Sequence, residues 1–394
     1  MIFIAGIVIS LFLAALLLSK KNRSKADNFL FCWMVLITLH QVYYYFDHSS
    51  YLNINTGFIG YDLPMPLMHG PFLFLYASAL VGRLPQRRIA WLAHFLPAAV
   101  CYIYLVGFFR LSGEQKLYII EHEGIGYKLF LQLRYVGIIV SGIVYVLLTI
   151  LLLGKHQKKI KDNFSDIEKI NLRWLQFLNY GISIIWLTVI FGTDEITFIA
   201  VVIYVVFIGV YGIRQTPIFT GNNFSGGSRF ENPPAKLQDD DSAHAQFTQT
   251  QNEGLLSEAN AGKEKYQKSG LNEEDLLQIH NQLADLMQRE KLYTDPEITL
   301  GDVAAKLDIH PNYLSQVINT VLKKNFYDYI NSQRVEEFTR VVQEPKNQHF
   351  TLLALAFGCG FNSKSSFNRN FRKVTGVSPS LYLNQIHVSL EEVD

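Results

Sequence analysis

The chain has 394 residues, of which 49% are hydrophobic, and its formal net charge is only +1. This length allows two or three domains, and the near-neutral total gives no argument for a nucleic-acid partner, so such a case must rest on local clustering of charge. The three cysteines, Cys32, Cys101 and Cys359, form no C-x-x-C pair. Their arrangement argues against a disulfide framework and against a zinc finger.

Residues 1–215 have the pattern of a membrane domain. Apolar runs of roughly 18 to 23 residues recur there, which is the length that a helix rising about 1.5 Å per residue needs to cross the hydrocarbon core. The first run is predicted to be retained and not cleaved, because its basic residues follow the apolar stretch instead of preceding it. We predict about seven transmembrane helices, at residues 2–19, 28–46, 64–82, 89–109, 131–153, 172–191 and 194–213.

The charges of the predicted connections give an orientation. Lys and Arg accumulate on the cytoplasmic side of short loops. The first, third and fifth connections are basic and the fourth is mixed, whereas the second, around Asp47–Asp62, and the sixth, Gly192–Glu195, hold no Lys or Arg. With seven spans, this pattern places the N-terminus outside a bacterial inner membrane and everything after Arg214 in the cytoplasm.

Three histidines, His40, His69 and His94, fall in predicted spans. Ionisable groups at membrane depth mark functional sites by default, but these three lie on different spans, which makes a metal or proton site the weaker interpretation. Ordinary polar packing is favoured, or a ligand pocket that opens outwards beneath Tyr43–Asp62 and Arg110–Lys128. We predict no metal and no cofactor.

Residues 216–271 change character and are rich in Gly, Ser, Asn, Gln and Asp. This composition predicts a flexible cytoplasmic linker. As flexible coil, the roughly 54 residues of 217–270 give a root-mean-square reach near 40 Å, enough for an anchored domain to approach DNA. From residue 272 to about 390, helical periodicity returns and predicts a soluble helical domain.

The first half of this domain contains a predicted helix-turn-helix unit. Thr299 is positioned to cap a short helix, a turn follows at Asp308–Pro311, and a second helix carries an apolar face. The opposite face holds small polar side chains, which can reach base edges because the major groove admits a helix. The predicted contacts on this face are Asn312, Ser315 and Gln316.

A second unit repeats the plan some fifty residues later. Here a helix at 351–358 is followed by a glycine-containing turn, and Asn362 or Ser363 is predicted to cap a helix at 364–374. Phe367, Phe371 and Val374 form its predicted inward stripe. Residues 351–390 contain no acidic side chain, which gives the local positive footprint that the chain average conceals. The outward residues are Lys364, Ser365, Asn368, Arg369 and Arg372.

The stretch between the units, "FYDYINSQRVEEFTRVVQE", has a helical pattern and is predicted to join them. Two recognition helices held by one joining helix can enter successive major grooves, about 34 Å apart on one face of a duplex.

At this point a resemblance is visible. The segments "NYLSQVIN", "YINSQRVEE" and above all "GFNSKSSFNRNFRKVTGVSPSLY" resemble the DNA-binding domain of AraC-type transcription regulators, over about residues 290–385. One departure is the pair Gly358-Cys359, where the family more often has larger residues. The resemblance implies that base and backbone contacts come from Asn312, Ser315 and Gln316 in the first unit and from Lys364, Ser365, Asn368 and Arg369 in the second.

The predicted fold is therefore all-α, with a multi-span helical bundle at 1–215, a linker at 216–271 and a domain with two helix-turn-helix units at 272–390. The predicted function is a one-component transcription regulator, not an enzyme, whose membrane domain senses a small-molecule or membrane-borne signal. Its predicted partners are operator or promoter DNA, the lipid membrane, the transcription machinery and, through repeated half-sites, a second copy as a homodimer.

Two other classes of function compete with this interpretation. A membrane transporter or membrane enzyme carrying a regulatory DNA-binding tail requires a substrate route or active site, and the sequence holds no internal repeat, H-E-x-x-H motif, P-loop or nucleophile elbow. A sensor kinase requires an ATP-cradling glycine-rich segment, which the soluble half lacks.

Overall fold

A computed structural model describes residues 2–49, 56–168, 173–214 and 272–391. Within these ranges the regular structure is helical, apart from one isolated bridge between Phe164 and Thr299. The predicted linker, 216–271, lies outside the described residues. The chain divides into two compact units, Met1–His156 with Leu172–Ala235, and Gln157–Asn171 with Lys236–Asp394.

The N-terminal unit begins with long helices. Ser24 caps the second of them in a capping box, with its hydroxyl accepting from the backbone N–H of Asp27 at 3.1 Å. The helices of this unit are α1 (Ile2–Ser19), α2 (Lys25–His48), α3 (Pro66–Leu80), α4 (Arg88–Ala93), α5 (Leu96–Tyr104), α6 (Val106–Phe109), α7 (Gly113–Glu121), α8 (Lys128–Asn163), α9 (Arg173–Phe191) and α10 (Asp194–Arg214). The last turns of α8, from Gln157, belong to the other unit.

Four helical segments in the described residues are long and apolar enough to cross a membrane. They are Ile2–Ser19, Lys25–His48, Lys128–Asn163 and Trp174–Phe191. The predicted third span is a helix of 15 residues, and the predicted fourth span is divided into α4, α5 and α6. Pro97 stands in the first turn of α5, where its missing N–H starts a new helix more readily than it continues an old one. The count of seven therefore stays a prediction.

The N-terminal unit packs an apolar core and also presents apolar side chains outwards. Trp33, Leu73 and Leu175 are fully buried in that core. On the outer faces, Leu133 and Leu151 are 63% and 61% exposed. A helix that is apolar on all sides is typical of a membrane span.

The histidines of the predicted spans fall into separate polar contacts. His40 and His69 stack with ring centroids 5.4 Å apart, whereas His94 lies 3.0 Å from the hydroxyl of Tyr145. No group of three or more His, Cys, Asp or Glu side chains in the described ranges is arranged to hold a metal ion.

The C-terminal unit is built on two small cores joined by one helix. Its helices are α11 (Glu273–Glu290), α12 (Leu300–Lys306), α13 (Pro311–Thr320), α14 (Phe326–Val341), α15 (Leu352–Gly358), α16 (Lys364–Thr375) and α17 (Pro379–Glu391). The joining helix α14 supplies Phe326 and Ile330 to the first core and Val335 and Phe338 to the second. All four side chains are at most 1% exposed, so the single helix α14 contributes to the cores of both predicted helix-turn-helix units.

Candidate nucleic-acid interface

The first predicted helix-turn-helix unit corresponds to α12, a tight turn and α13. Thr299 caps α12 as predicted: its hydroxyl accepts from the N–H of Asp302 at 3.2 Å in a capping box. Asp308 adopts φ = +53°, a left-handed conformation that ends the helix and that Asp tolerates better than most residues. His310 then caps α13 through its Nδ1, which accepts from the N–H of Asn312 at 3.2 Å.

The apolar face of α13 is anchored by Leu314, Val317 and Ile318, none more than 1% exposed. On the other face, Asn312 is exposed and Ser315 is half-buried. Gln316 follows the same outward spacing, yet only 5% of it is exposed, so it is not offered to a base edge in this structure. The predicted contact of Gln316 with DNA therefore requires a rearrangement that exposes its side chain.

Tyr313 is not among the DNA contacts predicted from the sequence. This residue lies next to Asn312 on α13 and is 38% exposed. A partly exposed aromatic ring on a helix of this kind offers apolar contact to a thymine methyl or packing against the sugar-phosphate backbone. The exposed "NY" pair at the helix start was the available signal.

The second predicted unit corresponds to α15, a turn and α16. Ser363 caps α16, with its hydroxyl accepting from the N–H of Ser366 at 3.0 Å. Gly376 ends the helix at φ = +83°. The turn before α16 depends on Gly360, whose φ is +96° and where an added Cβ would clash with the carbonyl oxygen of Tyr293. Only glycine fits this position without a backbone shift.

The outward face of α16 carries the predicted contacts together. Lys364, Ser365, Asn368, Arg369 and Arg372 are all exposed. The inward face is made by Phe367 and Phe371, at most 2% exposed, with Ser366 and Asn370 beside them. The predicted inward position of Val374 is wrong, because this residue lies in the last turn of α16 beyond the core and is 46% exposed.

Tyr327 of the joining helix α14 links this helix to α16. Its hydroxyl accepts from Asn370 Nδ2 at 2.8 Å and from Arg369 Nη2 at 3.1 Å. Lys373 is held by the Asp328 carboxylate of the same helix at 2.7 Å. The orientation of α16 is therefore set by polar contacts to α14 as well as by the phenylalanine core.

A buried arginine ties the joining helix α14 to the segment that precedes α12. Arg334 is 2% exposed and donates to the carbonyl oxygens of Tyr293 at 2.7 Å and Asp295 at 2.8 Å. Burial lowers the pKa of this guanidinium to about 10, so the group still carries its charge at neutral pH. The carboxylates of Asp166 and Asp295 oppose part of this lowering.

The segment that directly follows α8, Phe164–Glu168, also contacts the C-terminal helices of its compact unit. We call this segment the strap. Ser165 occupies a polar slot, where its hydroxyl donates to the carbonyl oxygen of Ile298 at 2.7 Å and accepts from Arg334 Nη2 at 3.2 Å. The carbonyl oxygen of Ser165 accepts from Asn331 Nδ2 at 3.0 Å.

The strap places two acidic side chains beside α16. Asp166 Oδ2 accepts from Asn362 Nδ2 at 2.7 Å, and Glu168 Oε1 lies 3.8 Å from Arg369 Nη2. These contacts are not among the predicted ones, because the fifth connection is basic overall and its acidic residues have no periodic relation to α16. The acidic "SDIE" run within that basic stretch was the available signal.

Comparisons with known proteins find a helix-turn-helix domain in the C-terminal region. Residues 303–385 match the protein family described as "Helix-turn-helix domain". The chain is 35% identical over 95 residues to the "Uncharacterized HTH-type transcriptional regulator YijO" of Escherichia coli (strain K12), covering 24% of this chain and 32% of that protein. It is 34% identical over 90 residues to the "Uncharacterized HTH-type transcriptional regulator YobQ" of Bacillus subtilis (strain 168), covering 23% and 36%.

A further relative is the "Melibiose operon regulatory protein" of Escherichia coli (strain K12), 27% identical over 88 residues, covering 22% of this chain and 28% of that protein. The chain thus matches about a third of the length of these curated relatives. No solved structure matches the chain significantly. The likeness identifies an AraC-type helix-turn-helix domain at the C-terminus.

Proposed function

From this AraC-type helix-turn-helix domain, we infer that the protein is a membrane-anchored one-component transcription regulator. It binds specific double-stranded DNA through two helix-turn-helix units, and a signal sensed by residues 1–215 controls that binding. The operator or promoter DNA lies in the cytoplasm, and the transcription machinery and a second copy of the chain are the expected protein partners.

The observation that carries this proposal is the outward face of α16. Lys364, Arg369 and Arg372 are exposed there, and residues 351–390 contain no acidic side chain to oppose them. Neutralising phosphates with such side chains releases counterions and supplies sequence-independent affinity, while Ser365 and Asn368 on the same face have the donors and acceptors that read base edges. That the relatives are named as transcription or operon regulators supports the same interpretation.

Membrane anchoring is supported by the N-terminal unit. Four of its helices have the length and apolarity of spans, and their outer faces are apolar. The alternating charge of the connections supports an N-terminus outside and a cytoplasmic C-terminus. In a bacterium, both the inner membrane and the chromosome are then within reach of one chain.

The test is to map the chromosomal sites occupied by the intact membrane protein, alongside the variant Arg369→Gln. We expect the variant to be absent from operators that the unaltered protein occupies, while its membrane insertion is unchanged. Lys346→Gln is the matched control, since Lys346 is an exposed cation of the same unit that pairs with Glu344 at 3.0 Å. Equal occupancy by Arg369→Gln and the control would contradict the assignment, and solute uptake that survives deletion of residues 272–394 would favour a transporter.

A further inference from the structure

The N-terminal unit contains a cavity of about 350 Å³ among α2, α3, α8, α9 and α10. Small-molecule sites have volumes of roughly 300–1,000 Å³. The rim includes Asp47, Asp62 and Asp194, which lie at the two connections without Lys or Arg. By the charge pattern these connections are external, so the cavity opens to the outside of the membrane.

A chain of hydrogen bonds fixes which polar atoms the cavity offers. Trp33 Nε1 lies 3.2 Å from His69 Nδ1, and His69 Nε2 lies 3.1 Å from His40 Nδ1. An indole N–H only donates, so Nδ1 of a neutral His69 accepts and its proton sits on Nε2, which donates to His40. The proton of a neutral His40 is then on Nε2, an atom with no partner in the described part of the chain.

Two further donors of the cavity are unpaired. Arg134 Nη1 donates to the carbonyl oxygen of Leu63 at 2.8 Å, but Arg134 Nε is buried without a hydrogen-bond partner. The hydroxyl of Tyr204 is likewise buried and unpartnered, in a side chain that is 4% exposed. Within the described ranges, Arg134 has no carboxylate oxygen within 4 Å. Unsatisfied buried donors are costly and call for an acceptor that occupies the site.

The rim has the opposite charge. Burial raises the pKa of the Asp62 carboxyl above its usual range, and the Arg134 guanidinium, which lines the same cavity, opposes part of that shift. A purely anionic ligand would face three rim carboxylates against one arginine. A purely cationic ligand would leave the unpaired donors of Arg134 and His40 without an acceptor.

We propose that the cavity binds a free α-amino acid with a bulky apolar side chain. Its carboxylate accepts from Arg134 and His40, its ammonium group meets the carboxylates of the rim, and its side chain lies against Ile138, Ile182 and Trp186, which line the interior. The inference deepens the proposed function, because it names the chemical class of the external signal.

The test is isothermal titration of the intact, detergent-solubilised protein with L-phenylalanine and L-leucine. The matched probes are 3-phenylpropionate, which lacks the ammonium group, and phenethylamine, which lacks the carboxylate. We expect at least one amino acid to bind at least tenfold more tightly than either probe. Binding of a probe as tight as that of the amino acids, or no binding by either amino acid, would overturn the proposal.

The variant Arg134→Met is expected to lose amino-acid binding, whereas Arg110→Met, at an exposed arginine outside the cavity, retains it. Retained binding by Arg134→Met would overturn the role of this residue. The panel on the unaltered protein decides the ligand class even if Arg134→Met fails to fold. Operator binding by ligand-free protein is measured separately, so a failure here leaves the proposed function standing.

The strap carries a second, independent inference. It is fastened by hydrogen bonds through Ser165 and by apolar contact of Ile160 and Ile167 with Tyr327. Arg369, the exposed cation central to the proposed interface, faces Glu168 across 3.8 Å. Asn362, at the turn into the recognition helix, is bonded to Asp166. A DNA phosphate that approached Arg369 would therefore meet the carboxylates of the strap.

We infer that the strap and DNA compete for the N-terminal half of α16, so that docking of the strap lowers operator affinity. This rests on the proposed DNA-binding role of Arg369. Because carboxylate and phosphate are both anionic acceptors for the same guanidinium, they exclude each other by like-charge repulsion.

The test uses the full-length protein and a duplex taken from an occupied chromosomal site. The double variant Asp166→Asn/Glu168→Gln is expected to bind this duplex at least threefold more tightly than a control that removes two exposed carboxylates of α11, Glu274→Gln/Asp285→Asn. Added duplex is also expected to speed amide hydrogen exchange in the strap of the unaltered protein. Equal affinities for both double variants together with unchanged exchange would overturn competition, whereas absence of binding by every variant would overturn the proposed function as well.

Discussion

Gly360 shows how one residue type can be required by a fold. Its positive φ and the nearness of the Tyr293 carbonyl oxygen leave no room for a Cβ. Gly358, two residues earlier, meets nothing within 4 Å of an added Cβ and has no positive φ. The two glycines of this turn are therefore unequal, although the sequence presents them alike.

We predict that Gly360→Ala destabilises the C-terminal unit by about 1–3 kcal/mol, because a strained backbone must be accommodated. Gly358→Ala is the matched control and is expected to change stability by less than about 0.5 kcal/mol. Urea-dependent proteolysis of the C-terminal unit in the intact protein measures both. Equal effects of the two substitutions would contradict the account of this turn.

Arg334 is the second residue whose removal has a calculable effect. Without its guanidinium, the carbonyl oxygen of the buried Tyr293 loses its donor, and the carbonyl oxygen of Asp295 keeps only the N–H of Ile298 at 3.4 Å. We predict that Arg334→Met costs about 2–4 kcal/mol of unfolding free energy, since hydrogen bonds to charged groups contribute more than neutral ones. The same proteolysis assay applies, with the exposed Arg289→Met as the control. A destabilisation no larger than that of the control would show that the buried charge is not structural.

Among the elements, α16 is the one whose chemistry is most open to measurement. For each DNA phosphate that a side chain no longer neutralises, the slope of log affinity against log salt falls by about 0.9. We predict that Arg369→Gln and Arg372→Gln each reduce this slope by up to about 0.9, and that Lys346→Gln leaves it unchanged. Electrophoretic mobility shifts of the full-length protein at several salt concentrations give the slopes. A slope insensitive to both arginines would mean that α16 does not bind phosphates.

The elements also show what local patterns can and cannot foretell. The caps at Thr299 and Ser363 are predictable, since a capping side chain and the N–H it accepts from lie within three residues. The strap is not predictable in this way, because Ser165 and Arg334 are 169 residues apart and no periodicity links them. The residue types of the proposed interface can be read from the sequence. The burial of Gln316 and the position of Glu168 beside Arg369 cannot, because both depend on tertiary packing.

For the whole molecule, the orientation in the membrane is the decisive prediction. Reporter fusions that report the cytoplasm are expected to be active after Asp394 and after Arg87, in the basic third connection, and inactive after Gly57, in the second connection. Reporters of the exterior should show the reverse pattern. An exterior C-terminus would separate the helix-turn-helix domain from DNA and contradict the proposed function.

The helix α8 has a consequence for the molecule as a whole. It contains 36 residues and is about 54 Å long at 1.5 Å per residue, and it carries Arg134 near one end and leads directly into the strap at the other. Because an α-helix is stiff over this length, rotation of one end about the helix axis is expected to rotate the other end with it. Two alanines inserted between His156 and Gln157 turn the far end by about 200°, whereas four turn it by about 400°, close to a full circle.

Response of an operator reporter to the external cue is therefore expected to disappear with two inserted residues and to be largely regained with four. A response that falls steadily with insert length, without this periodic recovery, would mean that the two ends communicate by tension along the chain and not by torsion.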